Sequence, residues 1–540
     1  MNKKGVSIRH YRITFGGTSM KTPGEVIEKL KKVVGRRHVL AFLWTVGVGL
    51  LVHLPILLRD IPNHDGLGSL YFDQNMITSG RWFLTVACGV SSYFAVPWII
   101  GLLGLLYLGL ASAVLAELLE LKSSLSIAVC GSLLAVFPAL ASTFAYVFTM
   151  DGYMMALLLA TLSVLMVKKT KYGVFWGALC LAFSLGIYQA YLPFAILLCV
   201  YEVLLLFMDG KWTSDRKGLL KKTGSYLAMG VVGFAIYYVL LMTLLWIQGK
   251  ELASYQGIGE AGSAQGEGIL QTIRSIYVDF WSFSVRSHVL FQNVFSAAAI
   301  ALLALCAVFA VASMAREKKW WKKIGFYLIL FALAIFLPIG TSCIRLVSPG
   351  LTYHLLMRYQ WVLYPMAAIA LCDKCISEKD EKARFAAPMQ WVLLVAGVAL
   401  VFCYGLMDNI GYSNLEKKYE KTYAYCVRLL DRIEQTEGYY PGIPVALVGV
   451  VGEEAYPKTD LTGGVTDNMI GLSGDWLLYT SENYEAFFKA YLGATLNICD
   501  VEAMGEIYYT QEYAEMDGFP GPNSTKVVNG ILYVKTENQR

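Results

Sequence analysis

Three ionisable residues stand where an apolar chain first turns polar: Asp60, His64 and Asp65, within "RDIPNHDGLGSLYFDQNMITSGRW" at residues 59–82. Charge so close to hydrocarbon is costly unless it is solvated or used. A carboxylate there could take the proton of a hydroxyl nucleophile, and a nearby cation could offset the charge of a departing phosphate. Arg81 closes the same stretch, and Asp151 in "FTMDGYMMALLLA" supplies a second Asp-Gly pair at the head of a later apolar run. Taken singly, Asp65-Gly66 reads as a turn, Asp60 as a solvated helix end and Asp151 as a helix N-cap. Taken together, they are acids that the topology below gathers on one face.

Two further stretches converge on that face. In "GTSCIRLVSPGLTYHLLMRYQW" (340–361), Arg345 precedes an apolar run whose first turns hold His354 and Arg358. An arginine just inside a membrane helix faces a polar cavity or an anion, and its planar fork suits phosphate. "GIYQAYLPF" (186–194) is a tight turn between two apolar runs. It needs no function as a turn, but Tyr188, Gln189 and Tyr191 would also suit a sugar or a lipid headgroup.

The elements that must position these residues are membrane helices. The chain has 540 residues, 56% hydrophobic and 16% charged, against roughly 45–50% and about 25% for a soluble domain. Runs long enough to cross a bilayer predict eleven spans, near 39–58, 97–116, 124–142, 151–167, 172–188, 190–208, 225–247, 289–314, 324–340, 353–372 and 388–408. Positive residues in short loops stay on the cytoplasmic side. With the Lys/Arg-rich residues 1–38 placed inside, the inner loops carry 18 basic residues and the outer loops 6. His64-Asp65, the head of the Asp151 run and residues 412–540 then lie outside. The net charge of +5 is small for this length, and its division by side of the membrane argues against nucleic acid as a partner.

The flanking segments differ in kind. "TPGEVIEKLKKVVGRR" predicts a basic interfacial helix begun at Thr22 and resting on an anionic leaflet. No cleavable signal peptide is apparent, and the glycine-rich "GIGEAGSAQGEG" (257–268) reads as an outer loop. From about 412 the composition becomes that of a small soluble α/β domain. It comprises the helical "LEKKYEKTYAYCVRLLDRIEQ", a strand in "IPVALVGV", a Ser-capped helix in "SENYEAFFKAYL" and a hairpin at Asn529-Gly530. Eleven cysteines form no framework. Cys372 and Cys375 make a lone C-x-x-C, too little for zinc, and Cys426 and Cys499 fall where an oxidising exterior permits a disulfide.

"HDGLGSLYFDQNMITSGRW", "MDGYMMALLLA" and "SLGIYQAYLPF" together resemble the glucosyltransferase type II (Gtr-II-like) family of bacterial polytopic membrane proteins, in the GT-C superfamily. The resemblance covers most of residues 40–410 in layout. It implies a GT-C-like helical membrane fold and a polyprenyl-phosphate-linked sugar donor used on the outer side of the plasma membrane. Family members usually carry two adjacent acids where this chain has His64-Asp65, followed by a Gly-Arg matched here by Gly80-Arg81. Asp65 is therefore the position that carries over, while the helper acid and the use of a divalent metal stay open; no cofactor is otherwise implied.

The expectation is an α-helical polytopic membrane protein with a cytoplasmic tail (1–38), a transmembrane domain (39–411) and an extracytoplasmic α/β domain (412–540). It would move a hexose, glucose by the family's name, from the lipid-linked donor to a surface polysaccharide such as O-antigen or teichoic acid. Asp65 is the expected base, with Asp60 or Asp151 as second acid. Arg345, Arg358 and Arg81 would serve the donor phosphate, and His64, Tyr188, Gln189 and His354 the substrates. A flippase or polysaccharide transporter would instead scatter charge through the midplane of many spans. A non-enzymatic protein with an external binding domain gives no reason for these acids and arginines to share a face.

Overall fold

The computed structural model describes residues 33–69, 73–89, 95–253, 268–286, 289–348, 351–378, 385–448, 463–474 and 480–536, with positions 23, 24, 28, 31, 477 and 478. Most of the expected tail helix and of the glycine-rich 257–268 stretch lies outside the described residues. A backbone crossing hydrocarbon must satisfy its own hydrogen bonds, so apolar runs become helices. These are α1 (Arg36–Leu58), a short α2 (His64–Gly68), α3 (Pro97–Leu118), α4 (Ser124–Val136), α5 (Pro138–Phe144), α6 (Met150–Lys169), α7 (Gly173–Ile187), α8 (Leu192–Met208), α9 (Arg216–Gln248), α10 (Ile269–Val285), α11 (Val294–Glu317), α12 (Ile324–Thr341), α13 (Leu363–Glu378) and α14 (Ala386–Glu434). Local chemistry sets many ends. Pro97 and Pro193 sit in first turns, Ser123, Asp215 and Asn293 accept N-cap hydrogen bonds, and α9 stops at left-handed Gly249.

Among the described residues, nine helices are long and apolar enough to cross a membrane. The expectation of eleven single spans is corrected at two places. Run 124–142 is the pair α4 and α5, bent by 44°, and run 172–188 is the 15-residue α7. In the bundle α1 packs on α3, α3 on α6, α6 on α7, and α7 on α9, with α11 against α13 and α14. Close approach depends on small residues. A Cβ on Gly101 of α3 would lie 1.9 Å from Leu57 Cδ2.

The bend has a single cause and several consequences. Pro138 has no N–H to give to the carbonyl of Leu134, so α4 ends at Val136. The hydroxyl of Tyr359 donates to that carbonyl instead, and His53 Nε2 donates to Ala135 O at 2.7 Å. Because a carbonyl only accepts, the His53 proton sits on Nε2. Nδ1 is then the acceptor, and Tyr412 donates to it at 2.6 Å. Helices α1, α4 and α14 and the turn 355–362 thus meet at one buried set of polar atoms.

Helix α14 is 49 residues long and runs without a break through position 412, where composition alone placed a boundary. Its far half packs under a sheet of β1 (Pro444–Val448), β2 (Asn497–Ile498), β3 (Thr525–Val528) and β4 (Ile531–Lys535), in the order β2-β1-β4-β3. β1 runs parallel to β2 and β4, and β3 is antiparallel to β4. The β3–β4 hairpin turns on Asn529 and Gly530, both with positive φ, as expected. The helix in "SENYEAFFKAYL", α15 (Ser481–Phe487), is capped by Thr480 rather than by Ser481. Cys426 and Cys499 are free thiols in different apolar clusters, and Cys372 and Cys375 are buried in the bundle core.

Tyr412→Phe leaves a buried imidazole nitrogen without its donor and should cost about 1–3 kcal/mol. Denaturant unfolding in detergent measures this, and an unchanged midpoint would mean that the His53 bridge does not hold the helices together.

Candidate active site

The acidic stretch is not a simple turn. Asn63, fully buried, caps α2 by accepting from Gly66 N at 2.7 Å, so Asp65 occupies a first helical turn and its Gly66 lies inside the helix. The Asp65 side chain is 55% exposed and lies 3.4 Å from His64 Nε2. A carboxylate at that exposure can meet a substrate while its backbone is fixed. Burial pushes the His64 imidazole below its ordinary value; Asp65 opposes the fall and Lys418 adds to it.

The sheet layer grips this helix. Leu67 is buried in an apolar cluster with Tyr425, Leu429 and Phe487. Asn483 Nδ2 donates to His64 O at 3.1 Å, Tyr491 donates to Asp60 Oδ2 at 3.4 Å, and Arg59 pairs with Glu416. Asp60 is therefore tied to the sheet layer rather than being only a solvated helix end. Gly471, with φ +87°, comes so close that a Cβ would lie 3.2 Å from Asn63 Nδ2 and 2.9 Å from Ala145 Cβ. The loop before α6 and the 471 turn thus flank the acidic helix.

Arg81 is held from below. Gly80 adopts φ +78°, and a Cβ there would meet Gln189 Nε2 at 2.5 Å and Tyr237 Oη at 2.6 Å. Gln189 Nε2 donates to Ser79 O and to Tyr237, and Tyr237 donates to Gly80 O. Arg81 Nη1 donates to Tyr153 at 3.0 Å, and its guanidinium lies 5.3 Å from the centroid of the Tyr188 ring, which stacks on Tyr153 at 4.2 Å. Tyr188 and Gln189 therefore support Arg81 here. Asp151 is 1% exposed in the first turn of α6, two residues from Tyr153. The N-cap position belongs to Thr149, and Asp151 Oδ1 accepts from Gly152 N at 2.8 Å, so the N-cap expectation fails by two residues.

The arginines 345 and 358 share one carboxylate that the sequence reading missed. Arg358 lies in the turn Leu355–Val362 before α13 and is 2% exposed. Its Nη1 and Nη2 donate to Asp279 Oδ2 and Oδ1 at 2.8 and 2.7 Å, and its Nε donates to Tyr353 O at 3.1 Å. The rings of Tyr353 and Phe283 lie 4.1 and 5.0 Å from the guanidinium. Arg345 Nη1 is 3.7 Å from Asp279 Oδ1, and its buried Nε has no hydrogen-bond partner among the described residues. Burial, with Arg358 adding to it, lowers the half-buried His354 imidazole. Asp279 was detectable only as the one acid in "YVDFWSFSV", and nothing local identifies its partner.

Contacts link these parts at one end of the bundle. Gln74 Nε2 donates to Phe148 O, just before Asp151; Tyr188 meets Tyr191 edge-on; and Tyr191 meets Tyr359, the neighbour of Arg358. Among the described residues, no three of His, Cys, Asp and Glu are grouped as a metal ion would require.

The family model for glucosyl transferase GtrII matches residues 54–372. Searches of curated proteins and of solved structures return no match. The matched stretch exceeds half of the 540 residues and contains every candidate from Asp60 to Arg358. The chain, a helical protein with multiple candidate membrane spans, belongs to the GtrII glucosyl transferase family.

Proposed function

We propose that the protein transfers a glucosyl unit from a polyprenyl-phosphate-linked donor to a surface polysaccharide at the outer face of the bacterial plasma membrane, in the manner of GT-C enzymes. The observation that carries this reading is the exposed Asp65 carboxylate on a capped, doubly gripped helix, at the same end of the bundle as Arg81 and the Arg345–Asp279–Arg358 cluster. Asp65 takes the proton of the acceptor hydroxyl as the acceptor oxygen attacks the anomeric carbon. The bond from that carbon to the lipid phosphate breaks, and its electron pair stays on the phosphate oxygen. A cation that offsets this charge makes protonation of the leaving group unnecessary.

Arg345, with donors still available, is the leading phosphate ligand; Arg358 fixes the site through Asp279, and Arg81 stands on its tyrosine platform. Asp60 or Asp151 acts as the second acid, and His64 and His354 border the substrates. Residues 39–411 form the membrane domain and 412–540 an outer domain that shapes the acceptor side, with the basic tail 1–38 inside.

Asp65→Asn keeps the size and the helical turn but removes the negative charge. General-base catalysis contributes about 10²–10⁴-fold, so transfer of labelled sugar in membranes should all but vanish. Asp73→Asn, in an exposed turn, should stay near wild type. Retention of more than about a tenth of the activity in Asp65→Asn would move the base to Asp151.

Arg345→Ala should weaken donor use by the worth of a charge-assisted contact, about 1.5–3 kcal/mol, with the fold intact. Arg358→Ala strips the partly buried Asp279 carboxylate of its main partner and should also destabilise the protein by about 1–3 kcal/mol. Donor titration and thermal unfolding in nanodiscs separate the two effects. The orientation is read by labelling cysteines placed at Asp215 and Ile470 in intact cells, where 470 should react and 215 should not; the reverse would invert the topology.

A further inference from the structure

Two arginines on one carboxylate leave a single net positive charge. Asp279 takes both Nη groups of Arg358, whose Nε is held by Tyr353 O. Arg345 Nη1 lies beyond hydrogen-bond reach of Asp279, at 3.7 Å, and its buried Nε lacks a partner among the described residues. The cluster therefore holds one fixed, neutralised arginine and one cation with donors to give.

The surroundings suggest what that cation meets. Asp279 shares a stripe of α10 with Ile276 and Phe283, which face the protein. The opposite stripe exposes Leu270, Val278, Trp281 and Val285. An exposed apolar stripe on a helix of a membrane protein suits a lipid boundary, and a lipid docked there would bring its phosphate to the charge cluster with its tail in hydrocarbon.

We propose that Asp279 tunes this site to a singly charged lipid phosphodiester and against the doubly charged phosphomonoester, making it a specificity-determining residue that favours donor entry and product release. The inference rests on the reading of Arg345 as a phosphate ligand. In the transfer, the acceptor oxygen–carbon bond forms, the carbon–oxygen bond to phosphate breaks, and the acceptor proton passes to Asp65. The donor carries one negative charge; the lipid phosphate that leaves keeps the bonding pair and carries close to two at neutral pH, its second ionisation lying near pH ~6. A site of net charge plus one balances the donor and leaves the product over-charged beside Asp279. Without Asp279 the two arginines would match the product instead.

The test is equilibrium binding of two probes to the full chain in nanodiscs: a short prenyl phosphate and its glucosyl phosphodiester. Wild type should prefer the diester. Asp279→Asn should shift the ratio toward the monoester by about tenfold or more, as one unit charge at contact distance implies, and Asp279→Glu should restore the wild-type ratio. Arg345→Gln, which lowers the net charge by one, should shift the ratio the other way and serves if Asp279→Asn does not fold. Unchanged ratios in variants that still bind both probes would overturn the role of Asp279 alone. Failure of wild type to bind either probe would overturn the phosphate site, and this inference with it.

Discussion

Pro138 imposes the constraint on which the bundle's polar interior depends. In hydrocarbon no water stands by to serve a carbonyl that a proline has orphaned. The carbonyls at the end of α4 are instead served by Tyr359 and His53, and His53 in turn needs Tyr412. Each donor comes from a different segment, so the bend can exist only if α1, α14 and the turn holding Arg358 converge on it. The same turn then presents Arg358 to Asp279. A backbone defect in one helix is thus connected to the placement of a charge cluster on another.

The two ends of the bundle use charge differently. At the end away from the candidate site, acids and bases neutralise one another. Glu117 meets Arg37, His38 and Lys169; Lys168 meets Glu120 and Glu202; and Lys374 meets Glu120, Asp209 and Glu378. Asp373 accepts from the backbone of Lys122 and Ser123, closing that end further. At the site end the acids on α2, α6 and α10 are separated, and of these three Asp65 is exposed while Asp151 is buried and Asp279 partly buried.

The long helix α14 couples these features to the sheet layer. One continuous rod carries Tyr412 into the bundle and Tyr425 and Leu429 into the cluster that receives Leu67. Fixing the rod fixes the acidic helix α2 between two layers. Asn483 and Tyr491, far along the chain, then bear on His64 and Asp60. The sheet layer is therefore part of the architecture of the candidate site rather than an appendage to it.

What was legible in the order of residues was local chemistry. Apolar runs predicted helices and Asn529-Gly530 its hairpin, because each depends on a few adjacent residues. The errors were errors of detail within that local range. Thr480 rather than Ser481 caps α15, Thr149 rather than Asp151 stands at the N-cap position of α6, and Asn63 turns Asp65-Gly66 into a helix, since a cap position is decided by the dihedral angles of one residue. The change in composition at 412 did not interrupt α14, because polarity changes which face is solvated and not whether the backbone winds. The partnerships arise from packing alone: Asp279 with Arg358, Tyr153 with Arg81, Tyr237 with Gly80, Asn483 with His64. These join residues separated by tens to hundreds of positions. No periodicity encodes them, because a side chain's partner is set by which helices pack together, and that follows from the whole bundle closing around its few buried polar atoms.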